Sequence, residues 1–239
     1  MSRLVALDNR IHRELRVARE RVLAQGARLH MLPVVLSEFL KLCVQFPIVL
    51  TKNGDTGRFV CVCLFGFARN ENLFWRNDQW DAIYAPLHVR RQPFFVGGGE
   101  TEQVLCIDAE NDSLQQHTGD RIFDDQGNET PYLQKIKATL AALFTGEAQT
   151  QRFVDKLLAL NLIQPMRFEI KYANRQSQRV EGLYTVDEER VKSLPKDDLV
   201  ELHSLHYLAP IYTMIASLGQ IHALINRKNA LLAGGRSGI

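Results

Sequence analysis

The stretch that decides the fold is residues 48–67, which read IVLTKNGDTGRFVCVCLFGF. Two apolar runs, 48–51 and 59–67, flank a segment at 52–57 that is rich in Asn, Asp and Gly. Short apolar runs separated by such turn residues are typical of two antiparallel strands joined by a hairpin. The sequence therefore predicts a β-hairpin in the first half of the chain.

Two more pairs of strands are predicted by the same pattern. Runs at 92–96 and 103–108 surround the glycine triplet 97–99, and runs at 166–172 and 179–186 surround a short polar turn. The glycine triplet lacks the spacing and the following helix of a phosphate-binding loop, so we interpret it as a flexible turn. Strands that follow one another through short turns favour a largely antiparallel sheet.

An amphipathic helix is predicted immediately before the first hairpin. Leu36, Phe39, Leu40 and Cys43 follow the i, i+3, i+4, i+7 spacing of an apolar helix face. We therefore expect these four side chains, including Leu40, to face the protein interior.

The other helices form separate blocks. One helix opens at residues 130–131 with a Thr-Pro start, a second is predicted at 148–160, and a long C-terminal helical stretch is predicted at 197–230. We expect that stretch to be interrupted near Pro210, because proline removes a helix hydrogen bond. Strands and helices in separate blocks favour an α+β fold over a doubly wound sheet.

Composition limits the domain organisation and the partners. The 239 residues carry 29 basic and 27 acidic side chains, a net charge of +2 that does not indicate nucleic acid binding. The sequence predicts a basic N-terminal arm over residues 1–30, a single α+β domain over 31–232 and a flexible tail over 233–239. A chain of this length can bury a sizeable core without a disulfide or a metal.

Cysteine usage and hydropathy predict a cytoplasmic protein. We expect four reduced thiols, because the closest pair sits in a strand-like apolar run and lacks the spacing of a metal site. No apolar run reaches the roughly 18 residues of a membrane span, and the N-terminal residues lack the apolar segment of a signal peptide. The four thiols are Cys43, Cys61, Cys63 and Cys106.

Residues 75–95 are the most unusual segment, because they combine aromatic side chains with arginines. This combination is typical of binding hot spots and of sites for carboxylates or other anions. The alternative interpretation is that the aromatic side chains fill the core while Arg90 and Arg91 anchor a turn before Pro93. The predicted ligand- or partner-binding residues are Trp75, Trp80, Tyr84, His88, Arg90, Arg91 and Phe94.

No motif in the sequence supports a catalytic or metal-binding role. His203 and His206 could share a helix face beside Glu201, but the ligand set is incomplete. No serine lies in a nucleophile-elbow motif. We therefore predict no catalytic residue, no bound metal and no cofactor, and the protein is more consistent with a non-enzyme. If it is an enzyme, Cys106 with Asp108 or the histidine pair are the first candidates.

An ordered series of short motifs runs through most of the chain: HRELRV (12–17), EF (38–39), FPIV (46–49), ENLF (71–74), WDAIYAP (80–86), RRQPF (90–94), LCID (105–108), IFD (122–124), TPYL (130–133), GLY (182–184) and VDE (186–188). This series resembles the bacterial SapC family, and the resemblance spans residues 12–224. The family takes its name from an S-layer-associated protein, and its members often accompany outer-membrane receptors, flavin-dependent halogenase-like proteins and cupin-like proteins.

The resemblance and the residues together predict a non-enzymatic accessory or interaction protein. The resemblance implies a partner in a surface nutrient-uptake or a halogenase- or cupin-type system; a surface-layer role rests on the family name only. The first alternative is a binding module for a small anionic ligand or peptide, with Arg90, Arg91, Trp80 and Tyr84 in contact with it. The second alternative is an unrecognised enzyme. We expect a protein partner, no nucleic acid and no membrane span.

Overall fold

The computed structural model describes residues 3–98 and 103–234. Thirteen strands, eight α-helices and one 3₁₀ turn (Leu36–Glu38) occur among these residues. The strands are β1 (Leu4–Ala6), β2 (Arg16–Val17), β3 (Met31–Pro33), β4 (Ile48–Lys52), β5 (Phe59–Leu64), β6 (Trp75–Arg76), β7 (Gln79–Trp80), β8 (Phe94–Gly97), β9 (Val104–Asp108), β10 (Leu114–Gln115), β11 (Asp120–Arg121), β12 (Ile163–Lys171) and β13 (Ser177–Val186). The helices are α1 (Arg19–Ala24), α2 (Phe39–Leu42), α3 (Leu87–Arg90), α4 (Pro131–Ala159), α5 (Glu188–Lys192), α6 (Lys196–Ser204), α7 (Leu208–Ser217) and α8 (Gln220–Gly234).

The α+β fold class is confirmed. Every strand pairing among the described residues is antiparallel. The three predicted hairpins form as β4–β5, β8–β9 and β12–β13. The long helix α4 precedes β12, and the block α5–α8 follows β13, whereas the short helices α1, α2 and α3 lie between strands.

The described residues form two compact units, and each unit combines stretches that are far apart in the chain. The predicted single domain over 31–232 stays a prediction, and the predicted tail lies outside the described residues from 235 onward. Residues 3–27, predicted as a basic arm, supply β1, β2 and α1 to the first unit. Unit 1 comprises residues 3–27, 75–81, 85–98 and 103–145; unit 2 comprises residues 28–74, 82–84 and 146–234.

Unit 1 is built from small sheets around an apolar core. Three strands pair in the order β1-β9-β8, and three short strands pair in the order β10-β2-β11. The first half of α4 supplies a helical face to this core at the spacing of an amphipathic helix. The buried core residues are Val17, Val22, Phe94, Ile107, Ile122, Phe123, Leu133, Ile136 and Leu140.

Unit 2 contains a five-stranded sheet in the order β12-β13-β4-β5-β3. Its core is aromatic: Phe46 packs edge-to-face on Phe65 and Phe74, with ring centroids 5.3 Å and 4.6 Å away. One buried polar contact joins the sheet to α7, because the Ile48 backbone N–H donates to Ser217 Oγ at 2.8 Å. The Ser217 hydroxyl therefore provides a hydrogen-bond acceptor for the buried N–H of Ile48.

The prediction of two helices over 130–160 is wrong, because α4 runs without a break through Gly146. A glycine usually weakens a helix, but at position 146 the packing against Val35 leaves no room for a side chain. A β-carbon at this position would lie 2.8 Å from Val35 Cβ and 3.0 Å from each Val35 Cγ atom. The close approach of Val35 therefore explains a glycine inside the helix.

The C-terminal helical stretch, predicted to be interrupted near Pro210, consists of the three helices α6, α7 and α8, and neither break lies at the proline itself. This proline sits in the first turn of α7, where its missing N–H has no helical partner to lose. The chain turns instead at His206, whose φ of +59° is left-handed. The Tyr207 N–H donates to Leu202 O at 2.8 Å and the His206 N–H to His203 O at 3.0 Å, which are the two bonds of a Schellman motif.

The prediction that Leu40 faces the interior is also wrong. Its side chain is 73% exposed, whereas Glu38 is buried at 1% exposure. The periodicity of the apolar residues predicts that the Glu38 carboxylate faces solvent. The structure instead buries it, and the Tyr84 hydroxyl donates a hydrogen bond to Glu38 Oε1 at 3.1 Å that compensates for this burial. Phe39 and Leu42 still face the core, so Leu40 is left on the surface.

Candidate functional site

The two tryptophans of the predicted site form one small hairpin in unit 1. Trp75 in β6 pairs directly with Trp80 in β7. Asn77 and Asp78 between them have φ values of +49° and +58°, as a two-residue type I′ turn requires. The Trp80 ring lies so close to α1 that a β-carbon at Gly26 would be 2.8 Å from its Cζ3 atom. Both indoles are half-buried, and Trp80 packs against the end of a helix.

His88, Arg91 and Phe94 lie together in unit 1, in contacts that hold the local chain. Arg91 Nη1 donates to the Phe94 carbonyl at 2.8 Å, and Arg91 Nε donates to His88 Nδ1 at 3.4 Å. The guanidinium also stacks over the Phe95 ring, 4.3 Å from its centroid. Phe94 is fully buried in the core. These are the contacts expected if the arginine anchors a turn and the aromatic side chain fills the core.

The imidazole of His88 is held in its neutral form. Burial, with the positive charge of Arg91 added, lowers the pKa of His88 to about 4. Only a neutral ring can accept the Arg91 hydrogen bond at Nδ1. His88 is therefore a half-buried acceptor at neutral pH.

Tyr84 belongs to unit 2, whereas the other six predicted site residues belong to unit 1. Its hydroxyl donates to Glu38, and Lys41 Nζ lies 5.7 Å from the centroid of its ring. The preceding Ile83 N–H donates to Gln45 Oε1 at 2.6 Å. Residues 82–84 therefore run beside α2.

Arg90 lines a cavity of about 220 Å³ in unit 1. Positive side chains, two hydroxyls and an apolar floor come from α1, α3 and α4. The Arg19 guanidinium is paired with the Asp120 carboxylate, with Nη2 to Oδ1 at 2.8 Å, and this pairing raises the pKa of Arg19. The cavity is lined by Arg19, Val22, Leu23, Arg90, Tyr132, Lys135, Ile136 and Thr139.

Most residues of this cavity were not predicted as site residues. Tyr132, Lys135, Ile136 and Thr139 recur on α4 at i, i+3, i+4, i+7, which is the spacing of one helix face. That spacing is visible in the sequence, but nothing local indicates that the face meets Arg90. Burial raises the pKa of the Tyr132 phenol, so its hydroxyl stays protonated and can donate a hydrogen bond.

A family model described as SapC matches residues 7–224 of the chain. The chain belongs to the SapC family. The resemblance drawn from the short motifs is therefore confirmed. No curated protein and no solved structure is significantly similar to this SapC-family chain.

Two cysteines and two histidines of this SapC-family protein are further candidates for reactive or metal-binding side chains outside the predicted site. Burial raises the pKa of Cys61 to about 12 and that of Cys63 well above its ordinary value, so both thiols stay protonated. His206 follows the end of α6 in a left-handed conformation, so it does not share a helix face with His203. Within residues 3–98 and 103–234, no three His, Cys, Asp or Glu side chains form a metal-binding group.

One segment of the described chain, Leu208–Ala233, is long and apolar enough to cross a membrane, with a mean hydropathy of 1.4. A single segment of this kind is weak support for a span, because core helices have the same composition. Lys228 in this segment forms an ion pair with Glu71 inside unit 2, and Arg227 stacks on Phe74, 4.3 Å from the ring centroid. The absence of a membrane span stays a prediction, as does the cytoplasmic location.

Proposed function

We propose that this SapC-family protein is a non-enzymatic accessory protein that acts by binding a partner protein. The observation that carries the proposal is a group of exposed apolar side chains along α2 in unit 2. Ile83 is 87% exposed, Leu40 73% and Val44 57%. The Ile83 N–H donates to the Gln45 side chain, so residue 83 lies beside the turn that follows α2 and carries Val44. Exposed apolar surface of this kind marks protein-binding sites.

The partner that the family resemblance suggests is a component of a surface nutrient-uptake system or a halogenase- or cupin-like protein. Affinity purification of the C-terminally tagged protein from its source cell, followed by mass spectrometry, tests the proposal. We expect one stable partner at near-equal amounts. A charged side chain in place of an apolar contact would be desolvated without a partner, so Ile83→Glu is expected to reduce partner recovery at least about tenfold.

The matched control is Ile11→Glu, which introduces the same charge at a position in unit 1 that is 79% exposed. Partner recovery should be unchanged in this variant. If the wild-type protein returns no partner under conditions in which it remains folded, the accessory function is refuted.

A second candidate function is the binding of a small anionic ligand in the unit 1 cavity. Arg90 and Lys135 supply positive charge, and Val22, Leu23 and Ile136 supply an apolar floor. A volume of about 220 Å³ suits a compact carboxylate. These lining residues favour an anion with an apolar body, since its charge can pair with the cationic side chains while its apolar part contacts the apolar ones.

Isothermal titration with benzoate and with inorganic phosphate tests this second function. We expect benzoate to bind more tightly, and Arg90→Gln to weaken binding by about tenfold or more, because a charge-assisted hydrogen bond contributes about 1.5–3 kcal/mol. Lys137→Gln is the matched control, since Lys137 lies on α4 but pairs with Glu129 at 2.8 Å. No detectable heat with either anion, or equal affinities in all variants, would reject the cavity as an anion site.

A further inference from the structure

A groove of about 540 Å³ lies in unit 2, and helices form all of its walls. The 3₁₀ turn and α2 form the first wall, the second half of α4 forms the second, and the α6–α7 junction with the start of α7 forms the third. The lining residues are Leu36, Ser37, Phe39, Leu40, Gln149, Arg152, Leu205, His206, Tyr207, Ala209, Pro210 and Thr213.

Two aromatic side chains, Phe39 and Tyr207, line the groove. Both pack on Phe153, which does not line it, with ring centroids 6.4 Å apart for Phe39 and 5.2 Å apart for Tyr207. Phe39 and Phe153 are buried. The Schellman motif at His206 fixes the third wall through two backbone hydrogen bonds. The groove is therefore formed in advance of any binding.

Two leucines that line the groove are exposed, beside exposed polar side chains such as Gln149 and His206. Leu40 is 73% exposed and Leu205 is 43% exposed. These two side chains gain from burial against another apolar surface. The groove therefore offers apolar contacts between polar neighbours, which suits an amphipathic occupant.

The charge of the groove is positive. Arg152 is the charged lining residue, and none of the described residues that line the groove is a carboxylate. A negatively charged occupant would therefore be attracted to the groove, whereas a basic one would be repelled.

We propose that this groove binds an acidic amphipathic helix of a partner protein. Helical walls present the ridges and grooves into which another helix packs, and an amphipathic helix inserts apolar anchors at i, i+3, i+4 and i+7. Acidic residues on the flank of that helix face Arg152. The inference rests on the proposed accessory function and specifies the chemistry of its partner.

The test places a photoreactive benzoylphenylalanine at position 40 in the full-length protein in its source cell. Leu40 is exposed, so the replacement leaves the core intact. After irradiation, mass spectrometry identifies the cross-linked segment. We expect a segment of another protein with apolar residues at helical spacing and an excess of Asp and Glu. The matched control places the same probe at Val200, which is 55% exposed on α6 and lies outside the groove, and should give no such product.

Other products of the same experiment overturn the groove proposal. Cross-links to a second copy of the chain would show a homodimer contact, and cross-links to phospholipid would show a membrane contact. If a partner still co-purifies but position 40 gives no product, the accessory function stands and the groove assignment fails. If no partner co-purifies and position 40 gives no product, both fail.

Substitutions give a quantitative readout once the cross-linked segment is known. Its synthetic peptide, followed by fluorescence anisotropy, should bind Leu40→Glu at least about tenfold more weakly than wild type, since a leucine contact is lost and like charges are brought together. Arg152→Gln should weaken binding and reduce its salt dependence. Val200→Glu should bind as wild type does. Equal affinities for all four proteins would overturn the proposal.

Discussion

Lowering the pH should destabilise the protein through His88. Its pKa is near 6.5 in an unfolded chain and about 4 in the folded protein, because burial and Arg91 disfavour the charged ring. The unfolded state therefore binds the proton more tightly, so the stabilisation is complete above pH 6.5 and is lost as the pH falls toward 4. One pKa unit corresponds to about 1.36 kcal/mol, so a fall from pH 6.5 to pH 5 costs about 2 kcal/mol.

Urea unfolding at pH 7.5, 6.0 and 5.0, followed by circular dichroism, measures this loss. The variant His88→Gln retains an acceptor for Arg91 but cannot be protonated, so its free energy of unfolding should fall about 2 kcal/mol less between pH 7.5 and pH 5. The exposed His203 provides the control, and His203→Gln should follow the wild-type profile. Parallel profiles for wild type and His88→Gln would refute the half-buried neutral histidine.

Two further predictions concern buried contacts in unit 2. Gly146→Ala should lower the free energy of unfolding by about 1–3 kcal/mol, because the new methyl group meets Val35. The control Gly219→Ala should not destabilise, since its β-carbon would be 3.5 Å from the nearest atom. Ser217→Ala should cost about 1–3 kcal/mol, because the Ile48 N–H loses its buried acceptor. Urea titrations measure all three, and unchanged midpoints in the first and third variants would contradict the packing described.

The sequence predicts the hairpins well because their signals are local. In β4–β5 and β8–β9, two apolar runs and the turn residues between them lie within twenty positions, and β12–β13 spans 24 positions, residues 163–186. The apolar runs and the turn residues lie in the same short stretch of chain, and both predict the same hairpin. The fold class follows from these hairpins.

The errors arise where a residue far away in sequence decides the outcome. Gly146 would end a helix by propensity, but Val35 requires the absence of a side chain there. Glu38 would face solvent by periodicity, but Tyr84 supplies a hydrogen bond that allows its burial. The periodicity of apolar residues cannot predict either contact, because Val35 and Tyr84 reach these positions only in the tertiary structure.

The site residues stay a prediction. Composition drew attention to the aromatic–arginine segment, and Arg90 from that segment lines a cavity. Composition could not show that Tyr84 belongs to a different unit or that Arg91 is engaged by a backbone carbonyl. The cationic partner Lys135 lies 45 positions further along the chain (135 − 90 = 45), so only the folded chain brings it to the same cavity.

The pairing of β4 with β13 has a consequence for synthesis on the ribosome. Thr51 pairs with Leu183, a separation of 132 positions (183 − 51 = 132). At roughly 5–20 residues per second, roughly 7–26 s pass between the synthesis of Thr51 and that of Leu183. During that interval one edge of β4 is unpaired and open to wrong partners. Production of the protein in a cell therefore depends on whatever protects that edge until β13 has been made.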